Sequence, residues 1–340
     1  MKKRVLISSF YNREAVAPAL AKLAQHAEVV TGNNIGRSFT EEEIINALKG
    51  IDAVIAAEEP YNARVFESAP QLLMIARDGV GLNNIDICKA TEYGVVVNNA
   101  PVVHESVADL AMGLIIAAVR KIGAGDKGMR AGQWTDRDRY LCPDVNGKTL
   151  GLLGFGRIAQ AVARRAAGFN MKILAHDICP DPVAAEKLGV RMVAMDELLK
   201  NSDILSIHTP LTPQTSKFIN RETIGKMKDG AYLVNTSRGE VVDETALIEA
   251  LKAGKIAGAG LDVVCGEPPD AGNQLFMLDN VVFTPHVGSD TCDTFLKVYE
   301  SAVDDILLLF SGDEPRNIIN REVLKHKKFK KCDILFFSKS

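Results

Sequence analysis

A glycine turn and one aspartate set the first chemical possibility in this chain. Gly154-Phe155-Gly156-Arg157-Ile158-Ala159 follows an apolar run ending at Leu153 and opens a helical pattern through Gln160-Ala161-Val162-Ala163-Arg164. Strand, glycine turn and helix in that order are what a dinucleotide site requires. Gly154 permits the tight turn, Gly156 lets the backbone approach a pyrophosphate, and Ala159 supplies the small third residue needed for helix–strand contact. Unpaired N–H groups at the helix start, with the positive end of its dipole, suit phosphates. Asp177 ends the next strand pattern, Ile173-Leu174-Ala175-His176-Asp177, 23 residues after Gly154. A carboxylate there accepts from both hydroxyls of the adenosine ribose and repels a further phosphate, and Ile178-Cys179-Pro180 offers no arginine to relieve that repulsion. NAD is therefore expected rather than NADP. Three polar residues then follow three late strands: Arg238 in Val234-Asn235-Thr236-Ser237-Arg238-Gly239, Glu267 in Asp262-Val263-Val264-Cys265-Gly266-Glu267, and His286 in Thr284-Pro285-His286-Val287-Gly288. Ligands of open α/β sheets gather at the carboxyl ends of strands, which places this trio in the same expected site.

The elements that must position these residues are legible as a rhythm. Val5-Leu6-Ile7, Ala53-Val54-Ile55, Leu73-Met74-Ile75 and Val95-Val96-Val97 punctuate the first hundred residues, with amphipathic segments between them. A second series follows in Leu150–Leu153, Lys172–Leu174, Ile204–Ile207, Ala231–Val234, Ala257–Leu261 and Val281–Phe283. Apolar runs alternating with helices predict an α/β protein of two Rossmann-like or flavodoxin-like doubly wound parallel-sheet domains with a cleft between them. The expected division is one discontinuous domain from residues 1–100 plus 291–324, a dinucleotide-binding domain over 101–290, and a disordered basic tail over 325–340. Ser106-Val107-Ala108-Asp109 resembles a capping box before the apolar stretch Leu110–Val119. A helix apolar on all sides is expected between the domains or at a subunit contact, with burial in a core as the plain alternative. Thr291 to Phe310 reads as the helix returning to the first domain.

The words of the sequence resemble the D-isomer-specific 2-hydroxyacid dehydrogenase family from about Val5 to Ile319. They are Gly79-Val80-Gly81-Leu82-Asn83-Asn84-Ile85-Asp86, Ser106-Val107-Ala108-Asp109, Gly154-Phe155-Gly156-Arg157-Ile158, His208-Thr209-Pro210-Leu211-Thr212, Asn235-Thr236-Ser237-Arg238-Gly239, Gly260-Leu261-Asp262-Val263 and Thr284-Pro285-His286. Within the family the chain looks most similar to the short-form D-3-phosphoglycerate dehydrogenase branch. The resemblance implies that His286 is the acid/base, Glu267 its carboxylate partner and Arg238 the anchor of the substrate carboxylate and carbonyl. Ketone reduction needs a proton on oxygen as hydride reaches carbon, and an imidazole beside a carboxylate stays charged near neutrality to supply it. A guanidinium fork suits a planar carboxylate. The resemblance further implies that the amides of Val80 and Gly81 hold the substrate carboxylate, with Val80 also against the cofactor. Arg157 and Ile158 would border its pyrophosphate and Thr209 and Pro210 its adenosine. Asp262, Thr236, His286, Gly288 and Ser289 would line its nicotinamide end. It also implies a homodimer through the NAD-binding domains, the first domain being the substrate-binding one. Asn83 stands where many relatives have Asp, Ala159 replaces a glycine, and Val287-Gly288-Ser289 follows the histidine in place of Ile-Gly-Gly or Ile-Gly-Ala.

Composition narrows the remaining classes. A net charge of -3, 47% hydrophobic and 24% charged residues belong to an ordinary globular chain with no field for nucleic acid. Six scattered cysteines form no CxxC pair, and Met1-Lys2-Lys3-Arg4 leads into too short an apolar run for a signal segment, so a cytoplasmic protein without a membrane span is expected. The histidines show no ligand spacing, and no metal is expected. The substrate expected first is D-3-phosphoglycerate with 3-phosphohydroxypyruvate, for which Arg64 or Arg77 would meet the phosphate; glyoxylate, hydroxypyruvate or a D-lactate-type acid, which need no such cation, are the alternatives. A dinucleotide-sensing, corepressor-like binding protein is the reading from another class.

Overall fold

The computed structural model describes residues 2–8, 14–32, 38–135 and 137–330. Contacts divide the chain into Met1–Val103 with Ser289–Ser340, and His104–Gly288, so the transitions fall at 103/104 and 288/289 where 100/101 and 290/291 were expected.

Among the described residues the first unit holds five parallel strands: β1 (Arg4–Ile7), β2 (Glu28–Thr31), β3 (Ala53–Ala56), β4 (Met74–Arg77) and β5 (Val96–Asn98). Their order is β2-β1-β3-β4-β5, the flavodoxin-like winding. β3 and β4 are buried along their whole length, as their continuous apolar runs require of strands covered on both faces. The sequence reading missed β2: at the sheet edge its Glu28 and Thr31 stay exposed, and two valines give too little pattern. The helix Cys292–Ser311 is capped by Thr291, whose side chain accepts from Thr294 N, and ends at Gly312, whose φ of 91° is a left-handed closure. It packs against the helix Ala17–His26 and behind β3 and β4.

The basic tail begins inside this unit, a correction to the expectation of disorder from residue 325. Arg321–Lys325 and Lys327–Lys330 form two short helical turns. Phe329 is buried, and the Lys328 ammonium donates to Leu72 O at 3.0 Å. The His326 ring lies so close to Gly94 that a Cβ there would fall 2.2 Å from its Nδ1. Reading the lysines as a uniform charge run overlooked that one phenylalanine and a lysine stem supply an apolar anchor. Residues 331–340 lie outside the described residues.

The second unit is a seven-stranded parallel sheet: β6 (Thr149–Leu153), β7 (Lys172–His176), β8 (Arg191–Met192), β9 (Ile204–Ile207), β10 (Ala231–Asn235), β11 (Ile256–Leu261) and β12 (Val281–Phe283). The order β12-β11-β10-β9-β6-β7-β8 reverses direction between β6 and β9, the switch point of a Rossmann sheet. The six expected strands are present, and β8 adds a two-residue edge too short for any periodic signal.

The helix His104–Val119 corrects the capping expectation and agrees with the plain alternative of burial in a core. It starts before Ser106, so Ser106 is buried in its first turns and does not stand at the N-cap, while Asp109 pairs with Arg165 at 2.6 Å. The apolar stretch lies in the core of the second unit, packed on β10, β11 and the helix Arg157–Ala167. Gly260 makes that approach possible: a Cβ there would sit 2.9 Å from Leu114 Cβ. Among the described residues no helix is long and apolar enough to cross a membrane.

Candidate active site

At the switch point β6 delivers the chain into the glycine turn. Gly154 has a φ of 90°, and a Cβ on it would lie 2.7 Å from His208 O and 3.2 Å from Thr209 N at the end of β9. Only glycine fits between those strand ends. Gly156 faces open space and serves as N-cap of the helix Arg157–Ala167 with no side chain capping it. With no side chain capping it, the start of that eleven-residue helix suits an anion. Asp177 sits beside the turn, Oδ2 accepting from Phe155 N at 2.6 Å and Oδ1 from Cys179 N at 2.8 Å. Ile178 after it is 97% exposed. Ser206 Oγ lies 2.9 Å from His208 Nε2, and burial pushes this imidazole down to about 4, keeping it neutral. The buried Thr236 Oγ1 and His208 Nδ1 have no hydrogen-bond partner among the described residues. An uncapped helix start, a glycine-only turn, an adjacent carboxylate and orphaned polar atoms fit a dinucleotide.

The trio at the far strands is brought together within the second unit. His286 Nδ1 and Glu267 Oε2 are 2.6 Å apart, and Val264 N donates to Glu267 Oε1 at 3.2 Å. The hydrogen bond to Glu267 raises the imidazole above its ordinary value, against partial burial and the repulsive charge of Arg238. For Glu267 burial alone would raise the carboxyl, but the bond and charge of His286, the Val264 amide and the Arg238 charge leave it lowered. A histidinium–carboxylate pair facing a guanidinium is therefore the favoured state. The His286 side chain remains 46% exposed, open to a reacting oxygen. Arg238 Nη1 donates to the neutral Ser237 O at 2.6 Å.

His286 holds a φ of 54°, a left-handed conformation that non-glycine residues seldom adopt. Its surroundings over-determine it. Its amide donates to Asp262 O at 2.8 Å, and the Asp262 carboxylate accepts from Thr284 Oγ1 at 2.5 Å, Val287 N at 2.9 Å and Gly288 N at 2.9 Å. Asp262 is only 2% exposed. Expected to serve a nicotinamide amide, it clamps the histidine loop with three of its roughly four acceptor positions, which leaves one.

The remaining predicted residues fall as follows. Arg157 and Ile158 open the helix after the glycine turn, and Thr209 and Pro210 follow β9, Pro210 O accepting from Thr215 Oγ1 at 2.6 Å. Val80, Gly81 and Ser289 belong to the first unit. There the Val80 carbonyl accepts from Asn99 Nδ2 at 3.1 Å, Gly79 O from Ala100 N at 3.1 Å, and Asn84 Nδ2 donates to Ala57 O and Glu59 O. The two phosphate candidates are both engaged by acids. Arg64 lies on the surface with Glu41 at 2.6 Å and Glu42 beside it, and Arg77 is buried against Glu58 and Asp78. Sequence reasoning missed Thr284 as the partner of Asp262.

Comparisons with known proteins agree with this geometry. Residues 112–288 match the family model described as the D-isomer specific 2-hydroxyacid dehydrogenase, NAD binding domain. Over 330 residues the chain is 41% identical to a glyoxylate reductase of Korarchaeum cryptofilum, spanning 96% of this chain and 98% of that one. It is 39% identical over 319 residues to a D-3-phosphoglycerate dehydrogenase of Archaeoglobus fulgidus, spanning 93% of this chain and 59% of that one. Among solved structures, the TT0316 protein of Thermus thermophilus superposes with a TM-score of 0.84 at 38% identity, spanning 93% of this chain and 99% of that one.

Proposed function

Because this chain belongs to the D-isomer specific 2-hydroxyacid dehydrogenase family and is an NAD-dependent enzyme of that class, we propose that its substrate is glyoxylate or a similarly small unphosphorylated 2-keto acid such as hydroxypyruvate. The observation that carries the choice is the state of the two arginines: each cation put forward for a substrate phosphate is matched by two carboxylates. A phosphate dianion there would have to displace an acid and meet its repulsion. The relative named glyoxylate reductase, matched over nearly its whole length, supports the same choice over phosphoglycerate.

Bound NADH supplies the hydride. Gly154, Gly156, Arg157 and Ile158 would hold its pyrophosphate, Asp177 the adenosine ribose, and Thr209 and Pro210 the adenosine. Within the second unit Thr236, Asp262, His286 and Gly288 would line its nicotinamide end. The Arg238 fork would take the substrate carboxylate, and its charge would polarise the neighbouring carbonyl. Protonated His286 gives its proton to the carbonyl oxygen as negative charge develops there, and Glu267 stabilises the imidazolium until that moment. In the oxidative direction neutral His286 takes the hydroxyl proton. A homodimer through the second unit completes the reading. Its support is the exposed apolar set Ile122, Met129, Trp134 and Leu141, the last two 66% and 75% exposed, and no longer the buried helix His104–Val119.

Initial rates of NADH oxidation with glyoxylate, hydroxypyruvate, phosphohydroxypyruvate and pyruvate test the choice. We expect kcat/KM for the best small acid to exceed that for phosphohydroxypyruvate at least about tenfold. A preference for the phosphorylated acid overturns the reading, and no turnover with any acid returns the case to a dinucleotide sensor.

A further inference from the structure

We propose that Glu244 is a positioning residue for proton transfer, holding the loop that presents Glu267 to His286. The inference rests on the roles given above to those two residues. Between β11 and Glu267 the chain runs through Val263, Val264 and Cys265, and two consecutive amides of this run are taken by two different carboxylates. Val264 N donates to Glu267 itself at 3.2 Å, and Cys265 N donates to Glu244 Oε2 at 3.2 Å. The other oxygen of Glu244 accepts from Asn273 Nδ2 at 3.0 Å, and Asn273 Oδ1 in turn accepts from Leu275 N at 2.9 Å. One carboxylate thus ties both arms of the 265–273 excursion to the helix Glu244–Lys252.

That helix is a firm base. Asp243 caps it, accepting from Ala246 N at 3.3 Å, and the negative charge of Glu244 in its first turn is favoured by the helix dipole. The same loop is fixed from its other side by Gly239. A Cβ on that residue would lie 2.1 Å from both C and O of Val264 and 2.5 Å from Cys265 N. Gly239 directly follows Arg238, so the turn bearing the guanidinium and the loop bearing the carboxylate meet backbone to backbone. Glu244 pulls the loop down onto that contact, and Gly239 sets how near it comes.

The consequence falls on the 2.6 Å bond between Glu267 and His286. Amide-to-carboxylate bonds are stronger than neutral ones, and reacting groups tolerate little misplacement. Removing the Glu244 carboxylate leaves two part-buried donors without their acceptor and releases the loop, which weakens the pair that keeps His286 protonated. The other charges acting on His286, those of Arg238 and Asp262, are untouched.

The test uses the full chain and the best 2-keto acid of the panel, with Glu244→Ala, Glu244→Gln, Glu267→Gln and the Glu244→Ala/Glu267→Gln double variant. We expect Glu244→Ala to lower kcat roughly tenfold and to move the alkaline limb of its pH profile to lower pH, leaving the NADH dissociation constant within about twofold. Glu244→Gln, which keeps an acceptor for the Cys265 amide, recovers most of the rate. In the Glu267→Gln background Glu244→Ala adds no further loss, since it acts through the residue already changed. An unmoved limb with unchanged kcat in Glu244→Ala, or a loss that persists in full in the double variant, overturns the inference. If instead Glu267→Gln itself changes neither kcat nor limb, the roles of the pair fail. Should Glu244→Ala fail to bind NADH, Asn273→Ala decides by the same limb: a shift to lower pH supports the brace and an unmoved limb refutes it.

Discussion

Two arginines stand at the carboxyl ends of strands in the two sheets, Arg77 closing β4 and Arg238 following β10, and they have opposite lives. The Arg77 side chain is 7% exposed and held by Glu58 and the buried Asp78, with Nη1 also reaching Ala56 O at 3.4 Å and Asp78 O at 3.0 Å. Arg238 is half-buried, donates to the neutral Ser237 carbonyl, and turns its charge toward His286 and Glu267. A guanidinium paired with two carboxylates has become part of the scaffold, whereas one that donates to a carbonyl keeps its charge available for an anion. The same residue type at the same kind of strand end thus reports structure in one unit and chemistry in the other.

Substitutions at the two positions should separate along that line. Arg238→Ala is expected to lower kcat/KM for the keto acid about a thousandfold, about 4 kcal/mol, with the urea unfolding midpoint little changed; equal loss of stability would erase the contrast. Arg77→Ala should do the reverse. It strands the buried Asp78 and is expected to cost about 3 kcal/mol of unfolding free energy, with a smaller effect on kcat, read by urea denaturation beside initial rates. At the other end of the second unit, Asp177→Ala should weaken NADH binding about tenfold while leaving NADPH binding nearly unchanged or improved, and equal loss of both would mean that this carboxylate does not meet the ribose.

What was legible in the sequence was what local context determines. The glycine turn, Asp177 and the three strand-end residues each carry their meaning in the residues beside them, because a turn demanding a φ of 90° or a carboxylate ending a strand is a short-range requirement. Pairings across long separations were not legible. Nothing near Arg77 says that Glu58, 19 residues earlier, neutralises it, and nothing near Glu244 says that it meets Cys265 and Asn273, 21 and 29 residues on. The helix His104–Val119 shows the same limit, since an apolar surface states that it must be covered but not by what. β2 and the anchored start of the basic tail were missed because one or two apolar side chains suffice once a neighbouring surface waits for them.

The central claim is that the Glu267 carboxylate keeps His286 protonated so that it can give its proton to the keto acid. The imidazole's raised value means that reduction is sustained below it and falls as pH rises through it, while oxidation gains over the same interval. The most direct test is the pH dependence of kcat/KM for keto acid reduction in the wild type and in Glu267→Gln. The account predicts that the alkaline limb of the variant lies at distinctly lower pH, with a reduced plateau below it. Coincident limbs in the two proteins would contradict it.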